Sequence, residues 1–111
     1  MNVRDLEARL SRMLAEVNHE AGYPLSLVCT EQGLLVASAG TQEQAEVAAG
    51  LTSLFDDIVL RAVRDMAFSR VDEFTLVDAR GLRYVVRPLP ADHDTRLFLV
   101  VAVPRNTTWR R

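Results

Sequence analysis

Lysine is absent from this chain of 111 residues: all 13 basic residues are arginine. Arginine pairs bidentately and stacks, so the bias allows ionic contacts at an interface, although genomic base composition is the simpler explanation. Cysteine occurs once, at Cys29, so no internal disulfide can form. In its apolar strand pattern Cys29 reads as a small core hydrophobe rather than a reactive thiol. No apolar run approaches the roughly 20 residues that span a bilayer. The N-terminus alternates charge with leucine and does not resemble a signal peptide. Asn106-Thr107-Thr108 fits the glycosylation pattern, which means little without a secretion signal. The expected location is the cytoplasm.

Catalytic constellations are also missing. There is no glycine-rich phosphate loop and no GxGxxG. The histidines number two. Neither His19 nor His93 has a partner at metal-ligand spacing. Asp92-His93-Asp94 could grip an ion, but it reads more simply as a solvated loop. Asp56 and Asp57 are adjacent on a helical pattern, so they point apart and are poorly placed to share a proton. The arginines are scattered without interleaved aromatics, and the net charge is -2, which argues against a nucleic-acid partner. No enzyme, metal site or cofactor is expected.

What is present is an ordinary globular composition, 49% apolar and 25% charged. One domain spanning 1–111 is expected, large enough to bury about two thirds of its unfolded surface. Val3, Leu6, Leu10, Met13, Leu14 and Val17 recur at helical spacing and predict an N-terminal helix over 1–22, with Asn2 as its cap. Gly22 and Pro24 end it. "LSLVCT" and "LLVAS" read as a hairpin bent at Glu31-Gln32-Gly33. A second, longer helix runs from a cap at Thr41 to about Phe68. At about 100° per residue, Val47, Leu51, Leu54, Phe55, Ile58, Val59, Ala62 and Met66 form a broad face suited to a sheet. Ala49, Thr52, Asp56, Leu60, Val63 and Ala67 flank it, and Ser53, Asp57, Arg61 and Arg64 form a narrow polar strip. That is more apolar surface than one sheet face needs.

Phe74 to Asp78 and "LRYVVRPL" form a second hairpin around Gly81. "RLFLVVAV" is apolar almost throughout, as a strand covered on both faces must be, so it belongs in the middle of the sheet. The residues 105–111 read as a loose tail. The predicted class is α+β, in the order α-β-β-α-β-β-β. The five-stranded antiparallel sheet has strand order 2-1-5-4-3. The third strand is left on an edge, where its apolar residues need a cover.

"VCTEQGLLVASAG" followed by "AEVAAGLTSL" resembles the signature of the Roadblock/dynein light-chain (Roadblock/LC7) family, bacterial type. Gly33, Leu34, Ala37 and Ser38 carry the "GLxxAS" strand, and Ala45, Ala48, Ala49 and Gly50 the small residues at the helix start. "LRYVVRPL" and "RLFLVVAV" match the family's later strands, so the likeness spans nearly the whole chain. It implies a homodimer or heterodimer, with two long helices pairing antiparallel and two edge strands joining into one sheet. It also implies a small Ras-like GTPase as partner, which itself carries nucleotide and magnesium. Bacterial activating relatives often carry a further C-terminal helix; this sequence stops at Arg111, which by the resemblance favours binding over activation. The expected interface residues are Ala49, Leu60, Val63, Ala67, Phe74 and Leu76. The expected docking residues are Ala45, Glu46, Ser53, Asp57, Arg61 and Arg64.

The leading expectation is a non-catalytic dimeric platform that binds and regulates such a GTPase. The alternatives are a purely structural dimerisation scaffold and a profilin-like domain that senses a small ligand. A concave pocket between the first helix and the sheet favours the ligand reading; a flat helical pair favours the platform.

Overall fold

A computed structural model describes residues 3–89 and 96–105. Asn2, the side chain of Val3, Asp92-His93-Asp94 and residues 106–111 of the expected tail lie outside the described residues. The order of elements is α1 (Val3–Ala21), β1 (Leu25–Thr30), β2 (Leu35–Ala39), α2 (Gln42–Asp65), β3 (Phe74–Val77), β4 (Arg83–Leu89) and β5 (Leu97–Val103). The sheet has the order β2-β1-β5-β4-β3, antiparallel throughout. Central β5 pairs along its length with β1 and β4. This is the expected topology, and the reason is physical: only the strand apolar on both faces can lie where both faces are covered. No helix among the described residues is long and apolar enough to cross a membrane.

Alternation divides the core. Leu25, Leu27, Cys29, Val86, Phe98, Val100 and Ala102 face α2. Val28 and Ala37 face α1, where they pack around Leu14. Tyr23 covers Val85, Val101 and Val103 on that same side. Burial pushes the Cys29 thiol up, opposed by a hydrogen bond with the Thr52 side chain, as suits a packing residue.

The first hairpin turn is closed by Thr30, whose hydroxyl accepts from the backbone N–H groups of Gln32 and Leu34. Gly33 stands at φ +85° against α2; a Cβ there would lie 3.1 Å from the Ala49 carbonyl oxygen. The glycine serves both the turn and the close approach of the helix. Gly40 is tighter still: at φ +121° its Cβ would meet the Pro24 carbonyl oxygen at 2.8 Å. At the hairpin turn, α2 therefore lies directly against the Gly33 backbone, while Gly40 leaves room for the start of β1. As expected, Thr41 caps α2, its hydroxyl accepting from the Gln44 N–H at 3.4 Å.

The expected orientation of α2 is overturned. The residues turned into the protein are Ala45, Ala48, Ala49, Thr52, Asp56 and Ala62. Of the face assigned to the sheet, Val47, Leu51, Leu54, Ile58 and Met66 are exposed, Phe55 and Val59 half-buried, and only Ala62 buried. Small side chains let the helix approach the sheet closely, so the alanine side wins the contact and the bulky side turns outward. The stripe of α1 behaves similarly. Leu14 is buried and Leu10 half-buried, whereas Leu6, Met13 and Val17 are exposed.

Candidate functional site

The outer surface of α2 is the first candidate. Val47 and Leu54 are 61% and 63% exposed, and Leu51 and Ile58 continue their stripe along the helix. Beyond them, Leu60 and Val63 are also exposed. Together these side chains form an exposed apolar ridge along the outer side of α2. Beside it lie two hollows that share Tyr84. One, of about 420 Å³, is bounded by Val47, Ala48 and Leu51; the other, of about 610 Å³, by Leu76, Leu82 and Arg105.

The edge strand is the second element of this surface. On β3, Leu76 and Val77 are exposed, and β4 is its neighbour on one side only. Phe74 is half-buried because its ring stacks on Phe55 of α2, with centroids 4.7 Å apart and planes inclined by 28°. This contact ties the edge strand to the helix.

The expected interface and docking residues divide accordingly. Leu60, Val63, Ala67 and Leu76 are exposed, and Phe74 is partly so. Ala49 and Ala45, at 1% and 0% exposure, lie in the chain's own core between helix and sheet. Neither alanine can offer its side chain to another molecule, and both expectations are corrected for the reason that reoriented α2. Ala67 follows the helix end, at φ +59°, where the Phe68 N–H reaches back to the Ala62 carbonyl. Sequence reasoning missed Val47, Leu51, Leu54 and Ile58 as surface residues because a helical period shows which residues share a face, not which face turns inward.

In the polar strip Glu46, Asp57, Arg61 and Arg64 are exposed and Ser53 is half-buried, and each is paired within the helix. Arg61 donates to Asp57 at 3.1 Å and Arg64 to Asp65 at 2.8 Å. Glu46 accepts from Gln42 at 3.2 Å, and Ser53 donates to the Gly50 carbonyl at 2.8 Å. Pairs this exposed contribute little to stability and exchange partners readily.

Asp56 is different. Its carboxylate is buried and pairs with Arg96, Nη2 to Oδ2 at 2.7 Å, while Oδ1 lacks a partner among the described residues. The Arg96 N–H donates to Glu31, and the Glu31 N–H donates to the Arg96 carbonyl at 3.2 Å. Helix α2, the first hairpin turn and the start of β5 are thereby tied together. Burial pushes the Asp56 carboxyl above its ordinary range; Arg96 pulls it back, and Glu31 and Asp57 push it further. Asp57 itself turns outward to Arg61, so the adjacent carboxylates point apart as expected.

On the opposite side of the sheet, a groove of about 450 Å³ opens between the C-terminal half of α1 and strands β4 and β5. Leu14, Val17, Leu89, Leu99 and Val101 give it apolar walls, and Arg87 and Glu20 are its charged groups. It is the concave pocket between the first helix and the sheet expected under the ligand-sensing alternative.

The sequence matches no protein-family model and no curated protein. The fold does have solved counterparts. MglB of Myxococcus xanthus superposes with a TM-score of 0.75 at 14% identity, over 91% of this chain and 74% of that one. An MglB with a tetrameric arrangement gives a TM-score of 0.71 at 16% identity, over 86% of this chain and 71% of that one. A Roadblock/LC7 domain from Streptomyces avermitilis gives 0.68 at 14% identity, over 88% and 80%. With the sheet order, the two helices on opposite faces and these superpositions in agreement, the chain has a Roadblock/LC7-type fold.

Proposed function

We propose that this protein is a non-catalytic, self-associating cytoplasmic platform that binds and regulates a small Ras-like GTPase. The observation that supports it is the exposed ridge of Val47, Leu51, Leu54 and Ile58 beside the open edge of β3. Two copies related by a two-fold axis would bring ridge to ridge and edge to edge, covering both at once. The solved MglB with a tetrameric arrangement supports self-association as a property this fold can carry. The GTPase comes from the family resemblance of the "GLxxAS" hairpin and the helix after it.

In this reading the ridge faces the second copy. The strip of Glu46, Ser53, Asp57, Arg61 and Arg64 borders it and meets the GTPase. Arginine can speed GTP hydrolysis by reaching a phosphate, but Arg61 and Arg64 are engaged with carboxylates on their own helix. Binding without direct catalytic contact is the expected outcome. The test is co-purification with small Ras-like GTPases held in each nucleotide state, repeated with Arg61→Glu combined with Arg64→Glu. The double variant should stay folded and self-associated and lose the GTPase. Wild-type affinity in the variant would place docking elsewhere, and failure of every GTPase to bind would leave a purely structural scaffold.

A further inference from the structure

We infer that the groove between α1 and strands β4 and β5 is a binding site for a small monoanionic amphiphile, a carboxylate on an unbranched aliphatic chain. Its volume of about 450 Å³ falls within the range of small-molecule sites. The walls are aliphatic: Leu14 and Val17 from the helix face Leu89, Leu99 and Val101 from the sheet. An apolar body is what such walls prefer to water.

The polar end is set by Arg87. It is the only cation among the described lining residues, and its side chain is 34% exposed. Its Nη1 is buried and makes no hydrogen bond among the described residues. The Glu73 carboxylate lies 3.7 Å from that nitrogen, close enough to pair electrostatically but beyond hydrogen-bond length. A guanidinium offers five donors in a planar fork, so with Nη1 turned toward Glu73 the exposed part of the side chain still has donors for a ligand carboxylate. Glu20 also lines the groove and Glu73 already pairs with Arg87, so the ligand's charged end must meet the guanidinium directly. A second negative charge has no cation to meet among the described lining residues. One charge and an aliphatic body therefore suit the site best.

The groove lies across the sheet from α2, so this site is independent of the platform reading and each can fail alone. The test is titration of the full chain with octanoate, decanoate and dodecanoate below their micellar concentrations, followed by NMR of assigned methyl groups. Saturable shifts are expected at Val17, Leu99 and Val101. Affinity should rise about fourfold per added methylene, the equivalent of about 0.8 kcal/mol each, until the groove is full. Decanol and decylamine should bind at least tenfold more weakly than decanoate. Arg87→Gln should remove the preference for decanoate over decanol while leaving decanol binding unchanged. Ala21→Trp, at the rim, should block both without unfolding the chain and serves if Arg87→Gln proves unstable. Shifts centred on Val47, Leu51 and Leu54 would overturn the inference by showing adsorption to the α2 ridge. Equal binding of decanol and decanoate, or full carboxylate preference in Arg87→Gln, would overturn it as well.

Discussion

The two faces of this sheet receive their helices in opposite ways. Against α2 the contact is made by Ala45, Ala48, Ala49 and Thr52, so the helix lies close and its bulky residues are left outside. Against α1 the contact is made by Leu14, with Leu10 beside it, and space remains next to the helix. Side-chain size at the contact sets how near a helix can lie, since interiors are filled to crystal-like density. On one side the surplus is an apolar ridge facing outward, suited to another protein. On the other it is an apolar hollow facing inward, suited to a small molecule.

The largest effect expected is on the close contact. Ala49→Leu forces three heavy atoms into a site that is 1% exposed and should destabilise the fold by about 3 kcal/mol in urea titrations. The exposed counterpart, Leu54→Ala, should change the isolated chain by less than about 0.5 kcal/mol. Comparable losses would mean that the two sides of α2 are not so unlike.

Next is the ridge. Leu54→Glu with Ile58→Glu should leave the circular dichroism unchanged and weaken self-association at least a hundredfold, about 2.7 kcal/mol, in sedimentation experiments. Assembly at wild-type strength would show that the ridge is not what the second copy covers.

The third concerns Asp56, the acid on the inner side of the close-lying helix. Its carboxyl is raised by burial, so the folded chain keeps the proton at pH values where the unfolded chain has lost it. The contribution of Asp56 to stability is therefore greatest below the ordinary carboxylate range and falls as pH rises through the raised value. The charged groups that act on it are Arg96, Glu31 and, from the outer side of the helix, Asp57. Asp56→Asn should flatten the stability profile from the ordinary carboxylate range up to the raised value, read by thermal melts at several pH values. Parallel profiles would mean that Arg96 holds the carboxyl at its ordinary value.

The smallest effect is expected at Gly50. It lies inside α2, and a Cβ there would meet nothing within 4 Å. In the isolated chain Gly50→Ala should add about 0.8 kcal/mol of stability from helix propensity. A loss of self-association in the same variant would show that the glycine serves a close approach by a second copy.

Much of the fold was legible in the residues. The double-faced apolar pattern of "RLFLVVAV" places β5 in the centre, the two hairpins follow from Gly33 and Gly81, and Thr41 marks the start of α2. Those inferences rest on local chemistry: which backbone angles a residue tolerates, and whether one or both faces of a strand repel water. The polar strip of α2 was legible on the same grounds. The burial of Ala45 and Ala49, the outward turn of Val47, Leu51, Leu54 and Ile58, the Asp56–Arg96–Glu31 tie and the meeting of Arg87 with an apolar groove were not. Each depends on distances between elements far apart in the chain. The sequence by itself determined the elements, their order and the central strand, because periodicity and turn chemistry act within a few residues. Only the tertiary structure decided which side of each helix faced the sheet, because that choice is made by how closely two surfaces can pack, and hydrophobicity alone does not reveal it.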